Sequence, residues 1–120
     1  MPAMVPMIHV PDVLAALQWY EGIGFTTVRT HEDAGEVNWA LLLFGTSKLM
    51  LSTGGRPTTE ARREVDLFLY VENLDDVYAA LRDRVDVQEK PHETFYGMRE
   101  FTVRDVNGFW VTFTQASRRE

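Results

Sequence analysis

The chain has 120 residues, of which 45% are hydrophobic, with no cysteine and a formal net charge of −6. These values are typical of a globular domain and exclude disulfides, thiolate zinc sites and a cysteine nucleophile. The acidic balance argues against nucleic acid as a partner, because phosphate binding depends on clustered Lys and Arg. No apolar run approaches the roughly 18 residues of a membrane-spanning helix, and the amino terminus lacks a basic segment followed by an apolar one. We therefore expect a cytoplasmic protein without a membrane partner.

The first half of the sequence predicts one helix among four strands. Apolar residues with helical spacing follow Asp12, whose carboxylate can accept hydrogen bonds from the first free N–H groups of a helix. Gly22 and Gly24 are expected to end that helix. The predicted elements are a strand near residues 4–10, a helix at 13–21, and strands near 25–30, 37–44 and 48–52.

The second half repeats this plan after residues 53–63, which form a linker-like stretch. Asn73 takes the place of Asp12 at a spacing of 61 residues, and the apolar positions around it are displaced by the same number. The turn from Asp105 to Gly108 is expected to join the last two strands, since Asn-Gly tolerates a positive φ. The predicted elements are a strand at residues 65–71, a helix at 74–84, and strands near 87–92, 98–104 and 109–115.

This repetition predicts an α+β fold made of two tandem βαβββ modules in a single domain of residues 1–120. The first module spans about residues 4–52 and the second about 65–115, with the linker at 53–63 between them.

Several short motifs resemble the vicinal oxygen chelate superfamily, which includes glyoxalases, bleomycin-resistance proteins and extradiol dioxygenases. They are Val10-Pro11-Asp12-Val13, Trp19-Tyr20-Glu21, Gly24-Phe25, Gly97-Met98-Arg99-Glu100-Phe101, and the following Val103, Asp105, Gly108 and Phe113. The closing segment is most similar to the bleomycin-resistance branch. The resemblance implies two modules whose curved sheets form a cleft, often in dimers that build the site from both subunits.

The resemblance also implies where the enzymatic members would hold a metal ion, on the first and last strands of the modules. The corresponding positions are Val5, Leu51, Asp66 and Thr112. A transition-metal ion needs imidazole, carboxylate or thiolate ligands, which only Asp66 supplies. We therefore expect neither a metal nor another cofactor. His9, on the same strand face as Val5, would be a ligand if the alignment were displaced, but a role in the cleft wall is favoured.

Two charged residues keep alternative interpretations. Asp66 either bonds to a neighbouring backbone group or to Arg99, or it recognises a cationic or amide-bearing ligand. Arg99 shares a strand face with Phe101, whereas Glu100 points to the other face. The Arg99 charge either stabilises the hairpin or a dimer seam, or it contacts the ligand.

Strand alternation groups aromatic and apolar side chains on one predicted face, which suits planar or amphipathic molecules. The alternate residues of the same strands are expected to pack under the helices, and they are Ile8, Val10, Leu67, Leu69, Val111 and Phe113. The predicted ligand-binding residues are Met7, His9, Trp39, Leu51, Asp66, Phe68, Tyr96, Arg99, Trp110 and Thr112.

The expected function is metal-independent binding and sequestration of an aromatic, amphipathic or cationic small molecule, such as a drug or natural product, by a homodimer. The resemblance thereby implies a role in antibiotic resistance, and no catalytic residue is predicted. The alternative is a metal-dependent glyoxalase-like lyase, isomerase or dioxygenase with a non-standard metal site, which metal-dependent turnover would support. A third reading is an interaction module, which a persistent partner protein would mark.

Overall fold

The computed structural model describes residues 2–57 and 60–117. The chain divides into two compact units, Met1–Thr58 and Thr59–Glu120. The first unit contains β1 Met7–His9, α1 Val13–Gly22, β2 Thr26–Asp33, β3 Glu36–Phe44 and β4 Ser47–Ser52. The second contains β5 Asp66–Tyr70, α2 Leu74–Leu81, β6 Asp86–Glu93, β7 Met98–Arg104 and β8 Trp110–Ala116. Within the described residues, no helix is long and apolar enough to span a membrane.

The two units have the same sheet topology. The strand order is β1-β4-β3-β2 in the first sheet and β5-β8-β7-β6 in the second. In each sheet the first strand pairs in parallel with the last strand of its own unit, and the other neighbours are antiparallel. The repeated order confirms the predicted α+β fold of two βαβββ modules.

Helix α1 packs on one face of the first sheet. The carboxylate of Asp12 accepts a hydrogen bond of 3.0 Å from the Ala15 N–H and caps the helix, as predicted. Burial of apolar area on this side is the main source of stability for such a unit. The buried residues of the helix are Val13, Ala16, Leu17 and Tyr20, and those of the sheet are Ile8, Ala40, Leu42, Leu49 and Leu51.

Helix α2 packs on Phe101 and Phe113, whose rings are stacked with their centroids 4.7 Å apart. Its start differs from the prediction. The Asn73 side chain makes no capping hydrogen bond, and the Leu74 N–H instead donates to Oε1 of Gln115 at 2.8 Å. The expected Asn73 side-chain cap is therefore wrong, because β8 supplies the acceptor from across the unit.

The turn between β7 and β8 has the predicted place and a well-defined chemistry. Oδ1 of the buried Asp105 accepts hydrogen bonds from the N–H groups of Asn107, at 2.7 Å, and Phe109, at 2.9 Å. Gly108 takes the positive φ of +87°, which costs a glycine little. The turn fixes the strand register, so that Thr102 lies opposite Thr112 and Glu100 lies opposite Thr114.

Candidate ligand-binding site

The helix-free face of each sheet is defined here as the face that points away from the helix of the same unit. In the second sheet, the strand register arranges the side chains of this face in rows. Neighbouring strands place residues in register on the same face, so each row shares one environment. The three rows are Asp66, Trp110, Arg104 and Asp86; Phe68, Thr112, Thr102 and Glu89; and Tyr70, Thr114, Glu100 and His92.

Polar side chains occupy the centre of this face and are buried. Thr102, Thr112, Thr114 and Glu100 are each 6% exposed or less. The hydroxyl oxygens of Thr102 and Thr112 lie 2.8 Å apart, and the Thr102 hydroxyl donates at 3.5 Å to Glu89. Buried polar groups are normally hydrogen-bonded, and this network satisfies that rule.

Glu100 accepts two hydrogen bonds at the centre of the face. The Tyr96 hydroxyl donates to Oε1 at 2.7 Å and the Thr114 hydroxyl donates to Oε2 at 2.9 Å. The bond to Glu100 is the largest cause that raises the pKa of Tyr96, since an anionic acceptor stabilises the protonated phenol. Tyr96 therefore stays a donor to Glu100 through the neutral pH range.

Exposed aromatic rings border the buried polar centre. Phe68 is 49% exposed, Tyr70 is 73% exposed and Tyr96 is 52% exposed. Phe68 and Tyr70 lie on β5, and Tyr96 lies in the loop between β6 and β7. The face thus combines apolar area with a few placed polar groups, which is the usual composition of a small-molecule site.

Asp66 and Trp110 are both engaged by Arg62. The Arg62 guanidinium forms an ion pair with the Asp66 carboxylate and lies 4.1 Å from the centroid of the Trp110 ring. The hydrogen bond to Asp66 is the main cause that raises the pKa of Arg62. The Trp110 Nε1–H donates to the carbonyl of Ala61 at 3.0 Å. Asp66 thus has a partner that the sequence analysis did not name, supplied by the stretch assigned to the linker.

Arg99 lies on the other face of the second sheet, in register with Gln115. Its guanidinium bonds to the Asp75 carboxylate of α2 at 3.0–3.3 Å and to Glu93 at 3.2 Å. The hydrogen bond from Arg99 lowers the pKa of Asp75. The pKa of Glu93 is also lowered, mainly by the hydrogen bond from the Ser117 hydroxyl and then by the one from Arg99. An open depression of about 330 Å³ adjoins it, lined by Asp75, Glu93, Arg99, Gln115, Ala116 and Ser117.

Arg99 is therefore not on the helix-free face with the other predicted residues of the second unit, and its contact with a ligand stays a prediction. Successive residues of a strand point to opposite faces, and Arg99 shares the helix side with Phe101. The neighbouring Glu100 is the charged residue of the motif that reaches the helix-free face.

In the first sheet, three of the predicted residues lie on the helix-free face. Met7 is 42% exposed, and His9 is exposed with Nδ1 2.9 Å from the carbonyl oxygen of Thr53. Trp39 lies on the same face, in register with Ser52. The two rows are Met7, Met50, Leu41 and Arg29, and His9, Ser52, Trp39 and His31. Contact of these side chains with a ligand stays a prediction.

Leu51 was predicted on this face and lies on the opposite one. It is fully buried and in register with Ile8 and Ala40, which belong to the core under α1. Met50 pairs with Met7 as Thr112 pairs with Phe68, so Met50 is the structural counterpart of Thr112. The spacing between the closing strands is therefore 62 residues, and the alignment by 61 selected the wrong neighbour.

The side chains at the metal positions of the resembled enzymes do not fit a divalent ion. With Met50 in place of Leu51, the set is a valine, a thioether, Asp66 and Thr112, of which Asp66 pairs with Arg62 and Thr112 bonds to Thr102. Across residues 2–57 and 60–117, no group of three or more His, Asp or Glu is placed to hold a metal. A transition ion would lack the imidazole and carboxylate ligands it requires.

Sequence reasoning missed Glu100 and Thr102 as residues of the site. A signal was present in the turn at residues 105–108. Pairing the strands outward from that turn places Thr102 beside Thr112 and Glu100 beside Thr114, the register that the structure shows. The alternation of side chains within β7 alone could not show which of its two faces is the helix-free face.

Comparisons with known proteins place the chain among characterised folds. A model of the Glyoxalase/Bleomycin resistance protein/Dioxygenase superfamily matches residues 5–113. The structure of TioX from Micromonospora sp. ML1 is similar, with 20% identity over 97% of this chain and 99% of that chain, and a TM-score of 0.79. No curated protein matches the sequence significantly.

Two further solved structures are similar over nearly the whole chain. A glyoxalase/bleomycin resistance protein/dioxygenase from Nocardioides has 13% identity, covers 100% of this chain and 87% of that chain, and has a TM-score of 0.79. A bleomycin-binding protein, solved in complex with bleomycin, has 17% identity over 98% of this chain and 100% of that chain, with a TM-score of 0.72. At such identities the likeness to solved structures shows the fold alone.

Proposed function

Because the chain belongs to the glyoxalase/bleomycin resistance protein/dioxygenase superfamily, we propose that it binds a drug or natural product without a metal ion and sequesters it. One observation carries this proposal. The helix-free face of the second sheet presents a buried polar centre bordered by Phe68, Tyr70 and Tyr96. The similar bleomycin-binding protein, solved with its ligand, supports a binding rather than a catalytic role.

The aromatic rings account for the affinity that the proposal needs. Phe68, Tyr70 and Tyr96 are 49%, 73% and 52% exposed at the border of the buried polar centre, and grouped apolar exposure marks interaction sites. A planar ligand would bury this area by stacking, and the hydroxyls beneath it would orient the ligand's polar groups.

Sequestration requires affinity alone. A bound molecule is withdrawn from its target, and a Kd near 1 μM corresponds to about 8 kcal/mol of binding free energy. No bond is made or broken, so the protein needs no nucleophile and no acid/base pair. This agrees with the hydrogen bonds of the site, in which Thr102 bonds to Thr112 and Glu89 while Glu100 accepts from Thr114.

We assign ligand contacts residue by residue within each unit. In the second unit the proposed ligand contacts are Phe68, Tyr96 and Thr112. Trp110, whose ring is covered by Arg62, would contact the ligand at the edge of the site. In the first unit the helix-free face offers Met7, His9 and Trp39. The proposal includes a homodimer and a contribution to antibiotic resistance, which rest on the superfamily resemblance, and the cytoplasmic location expected from the sequence.

A screen of the purified protein against a natural-product library that includes bleomycin tests the proposal. We expect at least one compound to change the tryptophan fluorescence saturably and to raise the unfolding temperature, because a ligand at 100 times its Kd stabilises the folded state by about 2.7 kcal/mol. A broad library that gives neither response would overturn the proposal.

A matched pair of variants locates the binding surface. Phe68→Ala removes a side chain of the proposed site that is 49% exposed, and Leu14→Ala removes one that is 47% exposed on α1. The first is expected to weaken binding of the screened compound at least tenfold, about 1.4 kcal/mol. The second should leave affinity unchanged, and equal losses in both would place the ligand elsewhere.

Metal content tests the metal-independent part of the proposal. Protein purified without chelator is offered Mn, Fe, Co, Ni and Zn in turn and then desalted. We expect bound metal below about a tenth of an equivalent, since the donors at the family positions are unsuitable. Near one equivalent, lost on Asp66→Ala or His9→Ala, would favour the metal-dependent enzyme instead.

A further inference from the structure

The Glu100 carboxylate is buried, and the part of the chain that the structure describes gives it no cationic partner. It is 5% exposed, and both of its hydrogen-bond donors, the hydroxyls of Tyr96 and Thr114, are neutral. A buried charge that no opposite charge compensates is costly. Ion pairs among residues 60–117 join Arg62 to Asp66, Arg82 to Asp83, Arg99 to Asp75 and Glu93, and Arg104 to Asp86, and none of these pairs includes Glu100.

Donors among the described residues use only part of the acceptor capacity of Glu100. An ionised carboxylate offers about four lone-pair sites, and the two hydroxyls occupy two of them. His92, the register neighbour of Glu100 on β6, directs Nδ1 to the carbonyl of Lys90 at 2.8 Å and forms no ion pair with Glu100. Glu89, one row away, adds a second negative charge to the same face. The guanidinium groups at the first row, those of Arg62 and Arg104, are paired with Asp66 and Asp86, so the charge around Glu100 favours an incoming cation.

Aromatic rings lie on the same face as this carboxylate, Tyr96 in contact with it and the other two on β5, beyond β8. Tyr70 is in the same row as Glu100, Phe68 is in the adjacent row, and Tyr96 covers Glu100 while remaining half-exposed. A cation held near ring faces gains a further electrostatic attraction. An ammonium group carries three donors and no acceptor, which matches the free sites of a carboxylate.

We propose that Glu100 selects the charge of the ligand, and that the ligand carries an aromatic ring and a protonated amine. The ring stacks against Phe68 and Tyr70, and the ammonium binds at the Tyr96–Glu100 pair. This assignment rests on the proposed function, because it names the ligand class of the same site.

Three probes with one ring system test the assignment. The probes are the cation 1-naphthylmethylammonium, the neutral 1-naphthalenemethanol and the anion 1-naphthoate. Titration calorimetry on the full chain at pH 7 should give the ammonium a Kd at least tenfold lower than that of the alcohol. The naphthoate should bind most weakly.

Glu100→Gln removes the charge but keeps the shape and the acceptor for a hydroxyl. We expect the ratio of the alcohol Kd to the ammonium Kd to fall to about one in this variant, a tenfold loss. Glu93→Gln is the matched control, because Glu93 lies on the same sheet and bonds to Arg99 on the other face. It should keep the wild-type ratio. Circular dichroism establishes that both variants are folded.

The outcomes separate this inference from the proposed function. If the three probes bind equally, or if Glu100→Gln keeps the preference, Glu100 does not select charge, while binding itself leaves the proposed function intact. If no naphthyl probe binds but the library yields another ligand, the inference is overturned alone. If the library also yields none, both fail. Should Glu100→Gln not fold, the order of the three probes on the wild type decides.

Discussion

The two sheets share one topology, but their helix-free faces differ in chemistry. In the first sheet the central positions are the half-buried Met50, Leu41 and Trp39, and in the second their counterparts are Thr112, Thr102 and Glu100. On the side that faces the helix, by contrast, the central positions of the same strands are buried and apolar in both sheets. Leu42 in the first sheet and Val103 in the second are examples. The two units thus share an apolar core under their helices and differ in the side chains of their helix-free faces.

Physical chemistry explains why one face tolerates variation and the other does not. A core position accepts any apolar side chain of suitable volume, and a polar one there would lose its hydrogen bonds. The second helix-free face can carry Thr102, Thr112 and Glu100 because each finds a partner on the same face. Tests of this comparison should therefore disturb matched positions on the two faces.

The largest contrast is expected between Leu51 and Met50, which are adjacent on β4. Leu51→Ala should lower the free energy of unfolding by about 2–5 kcal/mol, because a fully buried side chain leaves a cavity. Met50→Ala should cost only about 1 kcal/mol, since Met50 is half-buried on the helix-free face. Urea denaturation of both variants measures the difference. A larger cost for Met50→Ala would reverse the assignment of the faces.

The linkers that leave the two closing strands provide a second contrast. In the first unit the chain passes over the end of β1, and a Cβ on Gly55 would lie 2.2 Å from the His9 carbonyl oxygen. In the second unit the position after β8 that matches Gly55 is Ser117, whose N–H donates to Gly97 at 3.0 Å. Gly55→Ala should therefore destabilise the protein by at least about 2 kcal/mol through a backbone clash.

Gly22→Ala is the control for that substitution. Gly22 ends α1, and a Cβ there would meet nothing within 4 Å. Alanine in a helical position should stabilise by about 0.5–1 kcal/mol. The unfolding temperatures of the two variants should move in opposite directions, and a neutral Gly55→Ala would show that the chain at Gly55 is not held against the end of β1.

Local patterns were sufficient to predict the elements and most strand faces. The alternation that puts Ile8 and Val10 in the core, and Met7 and Phe68 on the other face, depends only on period-two geometry. The failure at Leu51 came from a turn. Four residues lie between the paired Leu43 and Lys48, whereas five lie between Arg104 and Trp110, and this single insertion shifts the closing strands.

Side-chain pairing was not predictable by the same means. The partners of Asp66 and Asp75 are Arg62 and Arg99, and neither pairing follows from strand or helix period. Each depends on where a loop or a crossing strand brings a guanidinium. The sequence predicted a polar contact for Asp66 because a carboxylate requires one, but its identity needed the tertiary structure.

A double-mutant cycle on Thr102 and Thr112 would make the second face resemble the first. Thr102→Val should cost about 1 kcal/mol, because it removes the 2.8 Å hydrogen-bond partner of the buried Thr112 hydroxyl. Thr112→Val should cost less, because the Thr102 hydroxyl still donates to Glu89. The double variant should cost less than the sum of the two, since both unpaired groups are then removed, as at Leu41 and Met50. Additive costs in urea denaturation would mean that the two hydroxyls are satisfied independently.

The smallest effect on stability is expected on the helix side of the second sheet, at Arg99. Its bond lowers the pKa of Asp75. A carboxylate with a lowered folded pKa stabilises the protein above its unfolded pKa, and this contribution is lost as pH falls through the folded value. Arg99→Gln should raise the pKa of Asp75 toward normal in a carboxyl NMR titration, and the stability difference from wild type should be present at pH 6 and vanish in acid.

Arg99→Gln also separates the two faces functionally. The guanidinium lies across the sheet from Glu100, so the preference for an ammonium probe should survive its removal even though the Asp75 titration changes. An unchanged pKa of Asp75 would mean that the ion pair does not persist in solution. A lost ammonium preference would instead couple the two faces, because the substitution would then have moved β7 and displaced Glu100 from Tyr96 and Thr114.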